Sequence, residues 1–304
     1  MDSAEILCVG EVLWDALPAG LFLGGAPFNV ACHLRAAGWR VSMVSRVGAD
    51  RLGEEVLRRA AWYGVGTDLI QIDRERPTGL VRAMIDDAGN AEYELLEPAA
   101  WDAIEWSDEL VRRAGAARAL VFGTVAQRHK TSRDTIERLW ETKALMVFDA
   151  NLRPPYDDQA VVRRSLKHAN VVKVTERELG TISQWFALEG TLRERAAGLA
   201  EQFDCETVCV TRGRDGAALW REGRWTEESG YDVEVRDTVG AGDAFLALLL
   251  AGLLDGADDH VTLRNANLIG AYVATQLGAV PMDQLATVAP PLPAGVSRRS
   301  RRKP

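Results

Sequence analysis

Residues 6–44 read ILCVGEVLWDALPAGLFLGGAPFNVACHLRAAGWRVSMV, and the order of patterns within them decides the fold. Ile6-Leu7-Cys8-Val9-Gly10 is a short apolar run closed by glycine, the mark of a buried strand. In the stretch 29–37, Val30, Leu34 and Ala37 fall on one helical face, and 41–44 is again strand-like. Strand, helix, strand in that order implies a right-handed crossover between parallel strands. The rhythm repeats outward along the chain. A helix is expected over 53–63, strands over 119–122, 145–148, 170–174 and 207–211, and helices near 131–143, 157–167 and 191–203. The expectation is an α/β fold with a mostly parallel central sheet and helices on both faces. In such folds ligands bind beyond the carboxyl ends of the strands.

Two regions break the rhythm. The runs 79–86 and 91–96 flank Asp87-Ala88-Gly89-Asn90, a turn sequence, so they read as a hairpin projecting from the main body. Leu80, Arg82 and Met84 would share one of its faces, and Val81, Ala83 and Ile85 the other. The end of the chain, 293–304, holds Arg298, Arg299, Arg301, Arg302 and Lys303 and reads as a solvated, disordered tail.

Composition narrows the function. The 304 residues carry 36 Lys and Arg against 44 Asp and Glu, a net charge of −8, which argues against a nucleic-acid-binding body. The acidic start Met1-Asp2-Ser3-Ala4-Glu5 is no secretory n-region, and the longest apolar run, 244–254, is too short to span a bilayer. The chain therefore reads as soluble and cytoplasmic. Cys8, Cys32, Cys205 and Cys209 lie in apolar contexts without a C-x-x-C pair, and the four histidines lack zinc spacing. They predict buried thiols, and leave oxygen ligands and a hard cation such as magnesium for any metal chemistry.

The sharpest chemical signal is Asp237-Thr238-Val239-Gly240-Ala241-Gly242-Asp243-Ala244-Phe245, which runs into an apolar helix. Glycines before a helix leave its first N–H groups uncovered for an anion, reinforced by the helix dipole. Asp243 beside that anion is either a helix cap or a base that takes an acceptor hydroxyl proton during phosphoryl transfer. There is no Gly-Lys pair for a Walker loop. Gly240-x-Gly242 lacks the third glycine of a dinucleotide fingerprint, since residue 245 is Phe. A second segment, Gly24-Gly25-Ala26-Pro27-Phe28-Asn29, pairs glycines that admit a ligand with an amide. Asn29 suits a sugar diol, or is merely an N-cap. Asp15, read as lying just after the first strand, could accept from two hydroxyls.

Together, GGAPFNVACHLRAAG at 24–38 and DTVGAGDAF at 237–245 resemble the paired signatures of the ribokinase/PfkB family of carbohydrate kinases, over roughly residues 5–290. Val47-Gly48-x-Asp50-x-x-Gly53, Asp149-x-Asn151-x-Arg153, Thr211-x-Gly213-x-x-Gly216 and Asn267 before Gly278-Ala279 extend the likeness. GEVLWDALP, EPAAWD at 97–102, FGTVAQR at 122–128 and FDANLRP at 148–154 look most like bacterial fructokinases. The resemblance implies a ribokinase-like three-layer kinase domain over 1–292, with a small β-sheet lid from about 10–25 and 77–100. It implies Asp243 as catalytic base and Gly240, Ala241 and Gly242 as anion hole. Asp15, Gly25, Asn29 and Arg153 would bind sugar; Thr211, Gly213, Gly216 and Asn267 would bind nucleotide. The family's Asn-x-x-Glu corresponds to Thr175-Glu176-Arg177-Glu178, so the asparagine is replaced while Glu178 remains to hold magnesium through water. Asp237 matches a monovalent-cation position, which would take potassium.

The expected activity is ATP-dependent transfer of a phosphoryl group to a primary hydroxyl, with fructose first and ribose, 2-keto-3-deoxygluconate and other ketoses next. A non-catalytic sugar-responsive protein on a kinase scaffold is the rival from another class. The partners expected are sugar and ATP, without nucleic acid or membrane, and a second copy of the chain through the lid. Trp14 and Trp101 read as packing residues more than as sugar platforms, and His33 as a helix-surface or core residue more than as a base. Asp149 is either ionic and functional or a plain strand end.

Overall fold

The computed structural model describes residues 5–17, 20–85, 91–281 and 297–298. Nine strands form the main sheet: β1 (Ile6–Val9), β4 (Val41–Gly48), β5 (Ile70–Asp73), β8 (Ala119–Gly123), β9 (Leu145–Asp149), β10 (Val171–Thr175), β11 (Thr207–Thr211), β12 (Ala217–Arg221) and β13 (Arg224–Glu228). Their order across the sheet is β13-β12-β11-β10-β9-β8-β1-β4-β5. From β11 to β5 every pairing is parallel, while β12 and β13 add an antiparallel edge.

The helices are α1 (Ala26–Ala36), α2 (Arg51–Trp62), α3 (Asp108–Ala116), α4 (Lys130–Leu139), α5 (Gln159–Leu166), α6 (Glu176–Phe186), α7 (Leu192–Phe203), α8 (Ala241–Leu254) and α9 (Asp259–Ala274). They cover both faces, as the alternation predicts. Successive strand residues point to opposite sides, and the two apolar cores divide accordingly. Leu7, Val9, Phe122 and Phe148 pack with α3, α4, α5, α6 and α7; Ile6, Cys8, Val121 and Val147 pack with α1, α2, α8 and α9. All four cysteines are buried thiols. Among the described residues, no helix is long and apolar enough to cross a membrane.

A separate four-stranded sheet has the order β3-β2-β6-β7, built from β2 (Leu13–Leu17), β3 (Gly20–Gly24), β6 (Gly79–Ile85) and β7 (Ala91–Leu95). The expected hairpin is thus half of a larger sheet: β6 also pairs with β2 in parallel, from 60-odd residues upstream. The turn at 86–90 lies outside the described residues. Phe22, Asp15, Val81 and Leu95 form one row across the strands, so they share a face. The side chains at 83–85 are not described. Of the basic tail, only Ser297–Arg298 (β15) is described; it pairs with β14 (Tyr231–Asp232), and the rest of 293–304 lies outside the described residues.

Candidate active site

The site forms where α1 and α8 meet above the carboxyl ends of the central strands. Gly25 starts α1 with φ 108°, and a Cβ there would lie 2.5 Å from the carbonyl oxygen of Glu11, so only glycine lets the two segments approach. The helix therefore begins at Ala26, and Asn29 is inside its first turn instead of capping it. Freed from that task, the Asn29 amide donates Nδ2 to Oδ2 of Asp243 at 2.8 Å across 214 residues of sequence. Asn29 Oδ1 is buried without a protein partner, an acceptor left unsatisfied by the fold itself.

Gly240, left-handed at φ 78°, begins α8 without a side-chain cap. Asp243 is thus not a cap either; its carboxylate faces Asn29 in the first turn. Helices leave their first N–H groups without internal partners. Here the Ala241 amide leans on the Thr238 carbonyl at 3.3 Å, and the amides of Gly242 and Asp243 follow it. Burial pushes the Asp243 carboxyl up, with the Asn29 hydrogen bond and the charges of Lys173 and Arg153 opposing.

Below α8 lies an ion pair that sequence reading left half-assigned. Lys173 sits in the apolar run VVKVT of β10 and donates Nζ to both oxygens of Asp149 at 3.1 Å. A Cβ at Gly242 would lie 3.3 Å from that ammonium, which explains a glycine at a position whose φ does not require one. Burial alone would lower the Lys173 pKa, but Asp149, Glu178 and Asp243 hold it up. Burial pushes Asp149 up to about 6 despite Lys173, with Glu178 and Asp243 adding to the rise. Asp149 is therefore both strand end and ionic partner. Glu11 was also missed: 4% exposed, with Oε2 unpartnered, it is pushed up to about 7 by burial and then by Asp243 and Asp149. A lysine in a buried strand and the glutamate of GEVLWD were the available signals.

Asp15 lies in β2, the strand of the small sheet that follows β1. Burial, then Asp237 and Asp243, raise it to about 6, so this strand turns it toward the same centre. Val81, 6% exposed, shares its row. Asp237 accepts from Val239 N at 3.0 Å and Gly278 N at 3.2 Å. Arg153 is exposed in the segment after β9 yet close enough to influence Asp243.

Glu178 accepts from the amides of Thr175 at 2.7 Å and Leu152 at 2.8 Å, and the Thr175 hydroxyl accepts from Glu178 N at 3.1 Å. Thr175 and Glu178 thus form a capping box at the start of α6. Thr211 ends β11, its hydroxyl 3.5 Å from Val174 O. Gly213 and Gly216 have positive φ at the next turn, where a Gly216 Cβ would meet the Glu228 carbonyl at 2.1 Å. Asn267 donates to the carbonyls of Glu228 and Ser229, at 3.3 and 3.4 Å, and so braces this turn's neighbour.

Both tryptophans are packing residues. Trp14 is buried on the opposite face of β2 from Asp15, with Nε1 on Leu52 O at 3.2 Å. Trp101 is buried beneath Arg128, 4.0 Å from its ring.

Comparison with known proteins places the chain among sugar kinases. Fructokinase of Salmonella typhimurium is 30% identical over 298 residues, covering 91% of this chain and 95% of that protein. The crystal structure of a fructokinase from Xylella fastidiosa with bound ATP superposes with a TM-score of 0.81 at 24% identity, covering 91% of this chain and 94% of that one. A fructokinase from Vibrio cholerae, with fructose, ADP and calcium bound, gives 0.77 at 24% identity over 93% and 96%. These two establish likeness of fold. A family model described as pfkB family carbohydrate kinase matches residues 11–285. With a match of that extent, and with Asn29 of one signature bonded to Asp243 of the other, the chain belongs to the pfkB family of carbohydrate kinases.

Proposed function

We propose that this carbohydrate kinase transfers the γ-phosphoryl group of ATP to a primary hydroxyl of a ketose, and that fructose, giving fructose 6-phosphate, is its substrate. The observation that carries the reading is the 2.8 Å bond from Asn29 to Asp243 at the open first turn of α8. Asn29 aims one carboxylate oxygen and leaves the other for the acceptor hydroxyl. Asp243 takes the hydroxyl proton as the sugar oxygen bonds to the γ-phosphorus and the bridging bond to ADP breaks. The amides at the start of α8 face the charge that passes through the transferred group, a preorganised arrangement that needs no rearrangement during transfer.

Asp15, Gly25, Asn29 and Arg153 are assigned to sugar. The acidic surroundings of Asp15, Asp237 and Asp243 favour a neutral sugar over a sugar acid such as 2-keto-3-deoxygluconate. Thr211, Gly213, Gly216 and Asn267 are assigned to nucleotide, in line with the resemblance and with the glycine turn after β11.

The donor set suits magnesium. Asp149 and Glu178, both buried, and the half-buried Asp243 act together on one ammonium, Lys173, an excess of negative charge that a divalent cation offsets. Among the described residues no cluster of three His, Cys, Asp or Glu forms a dedicated metal cage, as suits an ion that keeps its waters and binds substrate phosphates. Glu178 would hold it through water, and the ion would neutralise charge on the phosphates. Potassium is assigned to the neighbourhood of Asp237. A homodimer through the small sheet completes the reading, supported by the exposed Leu21 on edge strand β3. The test is a coupled ADP-release assay on fructose, ribose and 2-keto-3-deoxygluconate, with and without magnesium: fructose-dependent release that requires magnesium is expected, and equal or greater turnover on another sugar would reassign the substrate.

A further inference from the structure

His33 lies on α1 one turn beyond Asn29, so the two side chains share one face of the helix, and Asn29 meets α8 from it. It is 2% exposed, and its Nε2 lies 2.9 Å from the carbonyl oxygen of Ala279. A carbonyl only accepts, so Nε2 carries the proton and donates. Ala279 belongs to a turn that touches several parts of the site. A Cβ on Gly240 would fall 2.4 Å from the Ala279 Cβ, so this turn presses directly on the residue that starts α8. The preceding residue, Gly278, donates its amide to Asp237, and the next, Val280, accepts from the Tyr63 hydroxyl at 3.3 Å. Gly278 has φ 78°, and a Cβ there would lie 3.1 Å from Cδ1 of Phe22, which stands beside Asp15 in the small sheet.

We infer that His33 is a positioning residue for phosphoryl transfer: its Nε2–H pins the 278–280 turn against Gly240 and so fixes the amides at the start of α8. The inference rests on the kinase reading above. The turn is also the joint between the small sheet, through Phe22, and the α8 terminus. One helix thus serves the reacting centre twice. Asn29 orients the base, and His33, four residues on, orients the amides beside it. Neither sugar nor nucleotide need touch His33 for this. Its loss should therefore be felt in the transition state and not in ground-state binding.

The test compares wild type, His33→Phe and His33→Gln in steady-state assays with the sugar that wild type uses, alongside hydrogen exchange of the 239–243 and 278–280 amides. Phenylalanine fills the space without a donor, whereas the glutamine amide nitrogen reaches where Nε2 stood. His33→Phe should lower kcat on the order of 10–100-fold, the cost of slight misplacement of reacting groups, while sugar KM stays near wild type and both amide segments exchange faster. His33→Gln should restore kcat to within about threefold, since one hydrogen bond is returned. A folded His33→Phe enzyme with wild-type kcat and unchanged exchange would overturn the inference, as would equal losses in both variants. Should His33→Phe fail to fold, Gly278→Ala, strained at φ 78° and pressed on Phe22, must give the same kcat-selective loss; wild-type kcat there would refute the pin. Wild-type protein without turnover on any sugar would overturn the kinase reading instead, and the exchange data would still decide for or against the pin.

Discussion

At the scale of single residues, Asp243 carries the account. Its carboxylate has one hydrogen bond from Asn29 and a buried setting that raises its pKa. Asp243→Asn keeps the shape and removes the base, so kcat should fall by roughly 10²–10⁴ while sugar affinity, measured calorimetrically, changes little. Retention of more than about a tenth of wild-type turnover would remove the base from this position. Glu11 makes a different prediction. Its carboxyl rises from 4.5 to about 7 on folding. Between those values the folded chain holds a proton that the unfolded chain has lost, so stability falls as pH rises and levels off above about 7. Asp15 and Asp149, both near 6, act in the same direction. Glu11→Gln should flatten the decline, so that its Tm gains on wild type from about pH 5 to about pH 7 and then holds that gain in thermal melts; parallel curves would contradict this. Asp243 and Asn29 were legible because glycines and chemistry stand side by side in the sequence. Glu11 and Lys173 were not, because their significance comes from burial among groups far away along the chain.

At the scale of elements, α6 shows how a departure from the family pattern is accommodated. Thr175 replaces the asparagine, yet it still caps the helix and locks Glu178 into a reciprocal pair. Thr175→Ala removes the cap and should destabilise the protein by about 0.5–2 kcal/mol, read from denaturant unfolding. Thr175→Asn keeps a cap and adds amide donors and acceptors. It should preserve activity and lower the magnesium needed for half-maximal rate; an unchanged or higher requirement would show that this position does not tune the ion's surroundings. The βα rhythm was readable because each strand and helix carries its own periodicity. The small sheet was half readable. The β6–β7 hairpin announces itself by its turn residues, but Leu13–Leu17 has no local pattern and becomes a strand through pairing with β3 and with distant β6. For that reason the residue pattern gave Asp15 only a place after the first strand, and its place in the small sheet came from the resemblance.

At the scale of the whole molecule, the two ends of the sequence converge. Asn29 lies in the first tenth of the chain and Asp243 in the last quarter, and parallel topology brings both to the same end of the sheet. The central claim is that this convergence moves a phosphoryl group onto the primary hydroxyl at C6 of fructose. Phosphorus and carbon NMR of a reaction containing the protein, fructose, ATP and magnesium tests it most directly. The account predicts equimolar ADP and a single phosphomonoester, with the phosphorus coupled to C6 of fructose. A reaction that yields only inorganic phosphate, no phosphorylated sugar, or a phosphate on C1 would contradict it.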